Sequence, residues 1–331
     1  MKWGLIGAST IAKEWVISAI RAVGDDVIAV VSADDQRAKE FAQSNEIVQY
    51  SSDINALLEN PDVDSVYIST KNHLHKEQAL LAIRAGKHVM CEKPLALSLE
   101  DAHEMVKAAQ DAGLVFATNH HLRNAASHTA MRQAVQSGLI GKPLAARVFH
   151  AVSLPPHLQG WRIAEGAEGG GVILDITVHD ADTLRYILND DPVEVTAFTQ
   201  TGVLSKTGLP DSVMGVMRFK SGLIAQFHDS FTAKHADTGL EIIGTEGTLV
   251  ARNVMTQKPV GEVSLVNAQG TRKMILEHVN LYESGFRQFG EAVAGRAQPA
   301  ATGHDGIWSL ATGIAVVQAA QSGRATPVVH C

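Results

Sequence analysis

Two cysteines in 331 residues, Cys91 and Cys331, are too few and too far apart for a disulfide framework, which points to a reducing cytoplasm. No apolar run approaches the roughly 18–20 residues of a membrane span. The apolar start after Lys2 is broken at Lys13 and Glu14, with no small-residue cleavage pattern beyond, so it reads as a strand and a helix rather than a leader. Basic excess is lacking too: 28 Lys and Arg against 35 Asp and Glu give a net charge of −7, which argues against non-specific nucleic-acid binding. Aromatics are sparse at 5%, yet 45% of residues are hydrophobic and 19% charged, the composition of a globular chain long enough for about two domains. No internal repeat, low-complexity tract or long linker interrupts it.

Strand and helix signals alternate through the first 120 residues. Apolar runs at Lys2–Ile6, Val27–Val31, Ser65–Ser69, Lys87–Cys91 and Leu114–Thr118 are separated by helical segments at Ser9–Val23, Asp34–Gln43, Asp53–Glu59, His73–Arg84 and Ser98–Asp111. Strands apolar on both faces and joined by helices predict a parallel sheet with right-handed crossovers. The period then changes. A long strand at Pro143–Ser153 leads to a Gly- and Pro-rich loop, 155–171, and a helix over Leu174–Leu188. Seven strand signals follow: Val193–Thr201, Val213–Phe219, Leu223–Thr232, Thr238–Gly244, Thr248–Arg252, Glu262–Val266 and Arg272–Leu276. Ser221–Gly222 and Glu246–Gly247 mark hairpins. Helices at Tyr282–Ala294 and Asp305–Ser322 close the chain. The expectation is α/β overall: an N-terminal Rossmann parallel sheet over 1–120, then an α+β domain over 121–331 with an open, mainly antiparallel sheet. The last helix, 305–322, is expected to pack back on the first domain.

Gly7-Ala8-Ser9-Thr10-Ile11-Ala12, between the first strand and helix, is a degenerate dinucleotide fingerprint. Gly7 permits the tight turn, Ala12 permits close helix–strand packing, and the helix N-terminus attracts a pyrophosphate. Ser9 stands where a second glycine is usual. The second strand ends at Ser32, with Arg37 five residues on. A hydroxyl and a planar multi-donor cation suit a 2′-phosphate, hence NADPH over NADH. Asp34 and Asp35 would repel that phosphate, and are assigned instead to capping the following helix. Cys91-Glu92-Lys93-Pro94 follows the fifth strand, at the sheet edge where α/β proteins bind ligands. Lys93, biased to an extended backbone by Pro94, can stabilise a developing alkoxide. Asp175 and His179 are four apart on one helical face, after the flexible run Gly169-Gly170-Gly171, which lets the chain approach a ligand closely. A carboxylate there can accept hydrogen bonds from a ligand, and an imidazole can supply a proton at operating pH.

The first turn, Ser69-Thr70-Lys71-Asn72-His73-Leu74-His75, Ala85-Gly86-Lys87-His88-Val89, Glu92-Lys93-Pro94 and Gly169–Asp180 together resemble the Gfo/Idh/MocA oxidoreductase family over almost the whole chain. The stretches Trp3–Ala12, Thr118–Asn124, Arg147–Trp161, Asn253–Gly261 and Asn280–Glu283 are similar to its sugar-reducing members. The resemblance implies hydride transfer from NADPH (NADP) to a keto carbon of a small sugar. His179 would be the proton donor, Lys93 would polarise the oxygen and Asp175 would orient hydroxyls, in a cleft between the domains. It also implies nucleotide contacts at Ala8, Thr10, Ile11, Ala33, Thr70, Asn72, His75, Glu92, Lys93, Asn119, Trp161, Arg162 and Tyr282. An inositol or aldose dehydrogenase of the same family is the alternative; a non-catalytic dinucleotide sensor is the rival from another class. The 15 histidines include the pairs His73/His75 and His120/His121, but there is no thiol cluster or H-E-x-x-H helix, and no metal is expected. The chain is expected to act as a monomer, or as a homo-oligomer through its open sheet.

Overall fold

The computed structural model describes residues 1–330, which form two compact units, 1–121 with 282–307 and 122–281 with 308–330.

The first unit holds six strands: β1 (Lys2–Ile6), β2 (Asp26–Val31), β3 (Gln49–Ser51), β4 (Ser65–Ile68), β5 (His88–Cys91) and β6 (Phe116–Thr118). Their order is β3-β2-β1-β4-β5-β6 and every pairing is parallel. This doubly wound arrangement reverses direction between β1 and β4, which places the turns after those strands at the ligand-binding edge. β3 was not anticipated; its three residues are polar and largely exposed, so no apolar run announces it. The helix after β1 is helical from Thr10, close to its expected start. Its stretch Ala12–Val16 is wound π-wise before α-helix resumes over Ile17–Ala22.

The chain returns to this unit through the helix Leu281–Val293. Trp3, Tyr67, Tyr282, Phe286 and Phe289 are all buried in one core, with Trp3 edge-on to Phe286 at 5.1 Å. Residues 282–307 thus group with 1–121 in one compact unit. The returning helix is Leu281–Val293, whose apolar face supplies Phe286 and Phe289. Of Gly303–Ser322, only residues up to Ile307 group with the first unit.

The second unit is built on nine strands: β7 (Pro143–Ala151), β8 (Pro192–Thr201), β9 (Pro210–Phe219), β10 (Ile224–Ser230), β11 (Gly239–Gly244), β12 (Thr248–Arg252), β13 (Glu262–Asn267), β14 (Gly270–Lys273) and β15 (Thr326–Pro327). They run in the order β14-β13-β12-β11-β7-β10-β9-β8-β15. Both hairpin signals hold, since β9–β10 and β11–β12 pair antiparallel. The one parallel pair joins β7 to β10 at the sheet centre. Helices Ala126–Gln136 and Val178–Leu188 belong to this unit; the first was not foreseen. The stretch expected to be a loop contains a helix, Pro156–Ala164, kinked at Gly160. Pro156 stands in its first turn, where a missing amide costs nothing. No described helix is long and apolar enough to cross a membrane.

Candidate active site

The two units are described in turn. At the turn after β1, Gly7 adopts φ +117, and a Cβ there would lie 3.1 Å from Ser69 and Thr70 backbone and side-chain atoms. The glycine is thus required twice, by backbone conformation and by close approach. Ser9 replaces a glycine to a purpose: its Oγ accepts from the Ala12 amide at 3.2 Å and lies 2.7 Å from Ser69 Oγ, tying this turn to the one after β4. Ala12 is fully buried and Ala8 nearly so, whereas Thr10 is exposed and Ile11 half-buried. At the end of β2, Ser32 is half-buried and Ala33 and Arg37 exposed. Arg37 donates through Nη2 to the Ala8 carbonyl at 2.8 Å, so the guanidinium is anchored beside the first turn. Asp34 caps the following helix by accepting from the Arg37 amide at 2.8 Å; Asp35 sits in the first helical turn.

Glu92, half-buried, joins the buried Asn119 and Tyr67 in a tripod linking β4, β5 and β6. Tyr67 donates its hydroxyl to Glu92 Oε1 in a very short hydrogen bond, and Asn119 Nδ2 donates to the same oxygen at 2.6 Å. Burial, then the Glu92 charge, push the phenol well above its usual range, so it stays a donor. Lys93, half-buried, follows, and its amide donates to Glu92 Oε2 at 3.3 Å. The Lys93–Pro94 bond is cis. Thr70 donates to Gln78 at 2.6 Å, and Asn72 is nearly buried in a short 3₁₀ turn.

Two of the residues expected to contact nucleotide are enclosed within their own unit. His75 is fully buried, with Nδ1 3.0 Å from the Pro94 carbonyl and Nε2 3.3 Å from that of Thr70. Desolvation lowers its pKa to about 4. It joins the turns after β4 and β5 and presents no surface to a ligand. Tyr282, 1% exposed, stacks between Trp15 and His121 at centroid distances of 5.8 and 5.1 Å. Lys87, nearly buried, donates to the carbonyls of Asn60 and Val63 at 2.9 and 2.8 Å, so the Ala-Gly-Lys-His-Val stretch serves the fold.

In the second unit, Asp175 and His179 lie on one helix, Ile173–Leu188, whose first turn is again π-wound. Asp175 Oδ2 is 3.3 Å from Arg162 Nε, and the same guanidinium lies over the Trp161 ring at 4.9 Å. Trp161, Arg162 and Asp175 therefore form one constellation. The glycine run has a nearer purpose than approach to a ligand. A Cβ on Gly170 would meet the carbonyl oxygens of Trp161, Arg162 and Glu165 at 2.8–3.0 Å, and Gly171 donates to the Arg162 carbonyl at 2.8 Å. The run lets the Trp161–Glu165 turn press against the helix start.

His179 is 7% exposed, above a buried polar layer that the sequence reading missed. His150, on β7, has its ring centroid 6.1 Å from that of His179, and its Nδ1 is 2.8 Å from Asp180 Oδ1. Thr177 donates to Asp229 Oδ2 at 2.5 Å. A signal for His150 existed: Ala146, Val148 and His150 alternate along one strand face, and the first two are core residues. Among the described residues, no group of three or more His, Cys, Asp and Glu side chains is arranged to hold a metal ion.

A parallel nucleotide-type sheet with this first turn, followed by an open-sheet unit carrying an Asp-x-x-x-His helix, defines a dinucleotide-dependent oxidoreductase. The chain belongs to the Gfo/Idh/MocA family: residues 1–120 match the oxidoreductase family with NAD-binding Rossmann fold, and 128–250 its C-terminal domain. It is 60% identical over 327 residues to a 1,5-anhydro-D-fructose reductase of Ensifer adhaerens, spanning 99% of this chain and 98% of that one. It is 30% identical over 312 residues to a myo-inositol 2-dehydrogenase of Thermotoga maritima, covering 91% of each. In fold it is similar to a levoglucosan dehydrogenase solved with NADH and levoglucosan, with a TM-score of 0.89, 24% identity and 99% of each chain covered.

Proposed function

We propose that this oxidoreductase uses NADPH to reduce a keto sugar, with 1,5-anhydro-D-fructose as substrate and 1,5-anhydro-D-mannitol as product. The observation that carries the reading is near-full-length 60% identity to the reductase of that sugar. The residues present fit the cofactor. The Gly7 turn leaves the space a Cβ would fill. Ser32 and Arg37 offer a hydroxyl and a guanidinium at the end of β2, and Asp34 is occupied in capping. That donor set suits a 2′-phosphate. The bound dinucleotide supplies a hydride.

The chain's own groups supply the rest. His179 gives a proton to the ketone oxygen, and the Lys93 ammonium stabilises the charge that develops there. Asp175, held by Arg162, accepts hydrogen bonds from sugar hydroxyls and fixes the ring. The Glu92 tripod holds the backbone from which Lys93 projects.

The test follows loss of near-ultraviolet absorbance of the reduced dinucleotide, with NADPH or NADH against a panel of keto sugars, and the reverse reaction with polyols. His179→Ala and Lys93→Ala should each lower kcat at least about 100-fold while cofactor titration survives. Arg37→Ala should raise the NADPH KM about tenfold and leave NADH nearly unchanged; equal losses sink the phosphate assignment. Polyol oxidation in preference to keto-sugar reduction would favour an inositol dehydrogenase, as the 30% relative suggests. Binding without turnover would mean a sensor. We place the protein in the cytoplasm, where the buried Cys91 thiol stays reduced. We infer a homo-oligomer formed through the exposed apolar face of the second unit's sheet, where Phe198, Met214 and Ile224 lie.

A further inference from the structure

Beneath His179 lies a pair of carboxyl groups that the reaction as described does not use. Asp180, on the same helix, and Asp229, on β10, are both 0% exposed, and His150, which stands opposite Asp229 in the β7–β10 pairing, also faces Asp180. One oxygen of each, Asp180 Oδ2 and Asp229 Oδ1, is buried without a donor facing it. The outer oxygens are taken: His150 faces Asp180 Oδ1 at 2.8 Å, and Thr177 donates to Asp229 Oδ2. The surrounding charges are committed elsewhere. Arg123, ahead of the helix Ala126–Gln136, grips Asp182 with bonds of 2.8 and 2.6 Å. His128 on that helix is turned to the Leu122 carbonyl and is kept neutral by burial. Asp211 on β9 accepts the amides of Val203, Leu204 and Ser205. Two buried carboxyls with a common neighbour, and no lysine or arginine between them, resist being ionised together.

Resting on the reductase reading, we propose that Asp180 and Asp229 share one proton and, through His150, act as positioning residues for His179, placing a single negative charge beneath the imidazole that donates to the substrate. That charge favours the protonated imidazole. The ring centroids of His150 and His179 are 6.1 Å apart, close enough in this buried layer for a charge at Asp180 to act on His179 across the His150 ring. Desolvation raises Asp180 to about 7 and lifts Asp229 well above its ordinary range, so the pair is neutral in acid and takes on its one charge around neutrality. The charge appears as solution protons become scarce, which holds His179 protonated further into the alkaline range.

The experiment has two readouts. Infrared difference spectra of the whole protein without substrate should show a protonated carboxyl C=O band persisting at about pH 8, well beyond an ordinary aspartic acid, and lost in Asp229→Asn. In the pH–rate profile, Asp180→Asn should move the alkaline limb to lower pH and cut kcat at about pH 8 roughly tenfold, with KM changed less than about twofold. Asp229→Asn, whose amide donates to Asp180 in the proton's place, should retain the alkaline limb, and it serves alone if Asp180→Asn fails to fold. Absence of the band above neutrality overturns the inference, as does an alkaline limb in folded Asp180→Asn that matches the unsubstituted protein. A band that behaves as expected, with no turnover of any keto sugar, overturns the reductase reading instead.

Discussion

Tyr67 carries a hydroxyl into the middle of a parallel sheet, where an isolated polar group would cost about 1–3 kcal/mol. Glu92 accepts it, and the same oxygen takes Asn119. Tyr67→Phe should lower stability by about 1–2 kcal/mol, a fall of about 2–4 °C in Tm per kcal/mol for a chain of this size. It should also lower kcat severalfold by loosening the backbone before Lys93, as thermal melts and steady-state rates would show. A buried pair of histidines makes a second prediction. His75 and His128 are held near 4, against an ordinary 6.5, by desolvation. The unfolded chain therefore takes up protons in that window that the folded chain refuses, so stability is full above 6.5 and falls as pH drops toward 4. The carboxyl pair has the opposite sign and loses stability as pH rises from 3.8 to about 7. The two signs oppose each other, so the histidine share is read by difference: between pH 6.5 and about 4 the urea midpoint of His128→Gln should gain on that of the unsubstituted protein. The sequence shows the chemistry of Glu92 and Asn119 but not their partner: Tyr67 looks like any strand aromatic until three strand ends are brought side by side.

At the scale of elements, what was legible follows from local period. The apolar runs of β1, β2, β4 and β5 have both faces covered and announce themselves, as does the helix capped at Ser98, whose side chain accepts the Asp101 amide. The segment 155–171 hides its helix because proline and glycine serve there as a helix start and a kink. β7 beside β10 has no local signature at all; a parallel neighbour more than seventy residues on is chosen by the sheet, not by either strand. Gly170 shows the same limit, since its meaning is the approach of three carbonyl oxygens from the Trp161–Glu165 turn. Gly170→Ala should push that turn away, break the Arg162–Asp175 pair and raise the sugar KM about tenfold, with a loss of about 1–3 kcal/mol in stability. A normal KM in a folded Gly170→Ala protein would show that the pair does not hold the substrate.

For the whole molecule, the open face of the second unit's sheet is the feature that a single chain leaves unexplained. Scattered apolar side chains on a surface are ordinary, but contiguous ones are not. Phe198 (78% exposed) on β8 lies directly opposite Met214 (51%) on β9, two residues from Val216; Ile224 on β10 stands opposite Arg218, the next outward position. Arg218 pairs with Glu194 at 3.3 Å, leaving charges at the patch margin rather than within it. A flat, self-similar face with an apolar centre and paired charges at its rim suits an isologous two-fold contact, in which each copy presents the same patch. A stable contact of this kind must bury at least about 1,200 Å² in total. In the proposed dimer, Phe198→Glu would put two like charges near the symmetry axis, and should yield monomers in sedimentation at micromolar concentration. Because Phe198 contributes nothing to the unit's own core, the melting of the separated chain should begin from an intact fold. A wild-type chain that sediments as a monomer would remove the contact altogether.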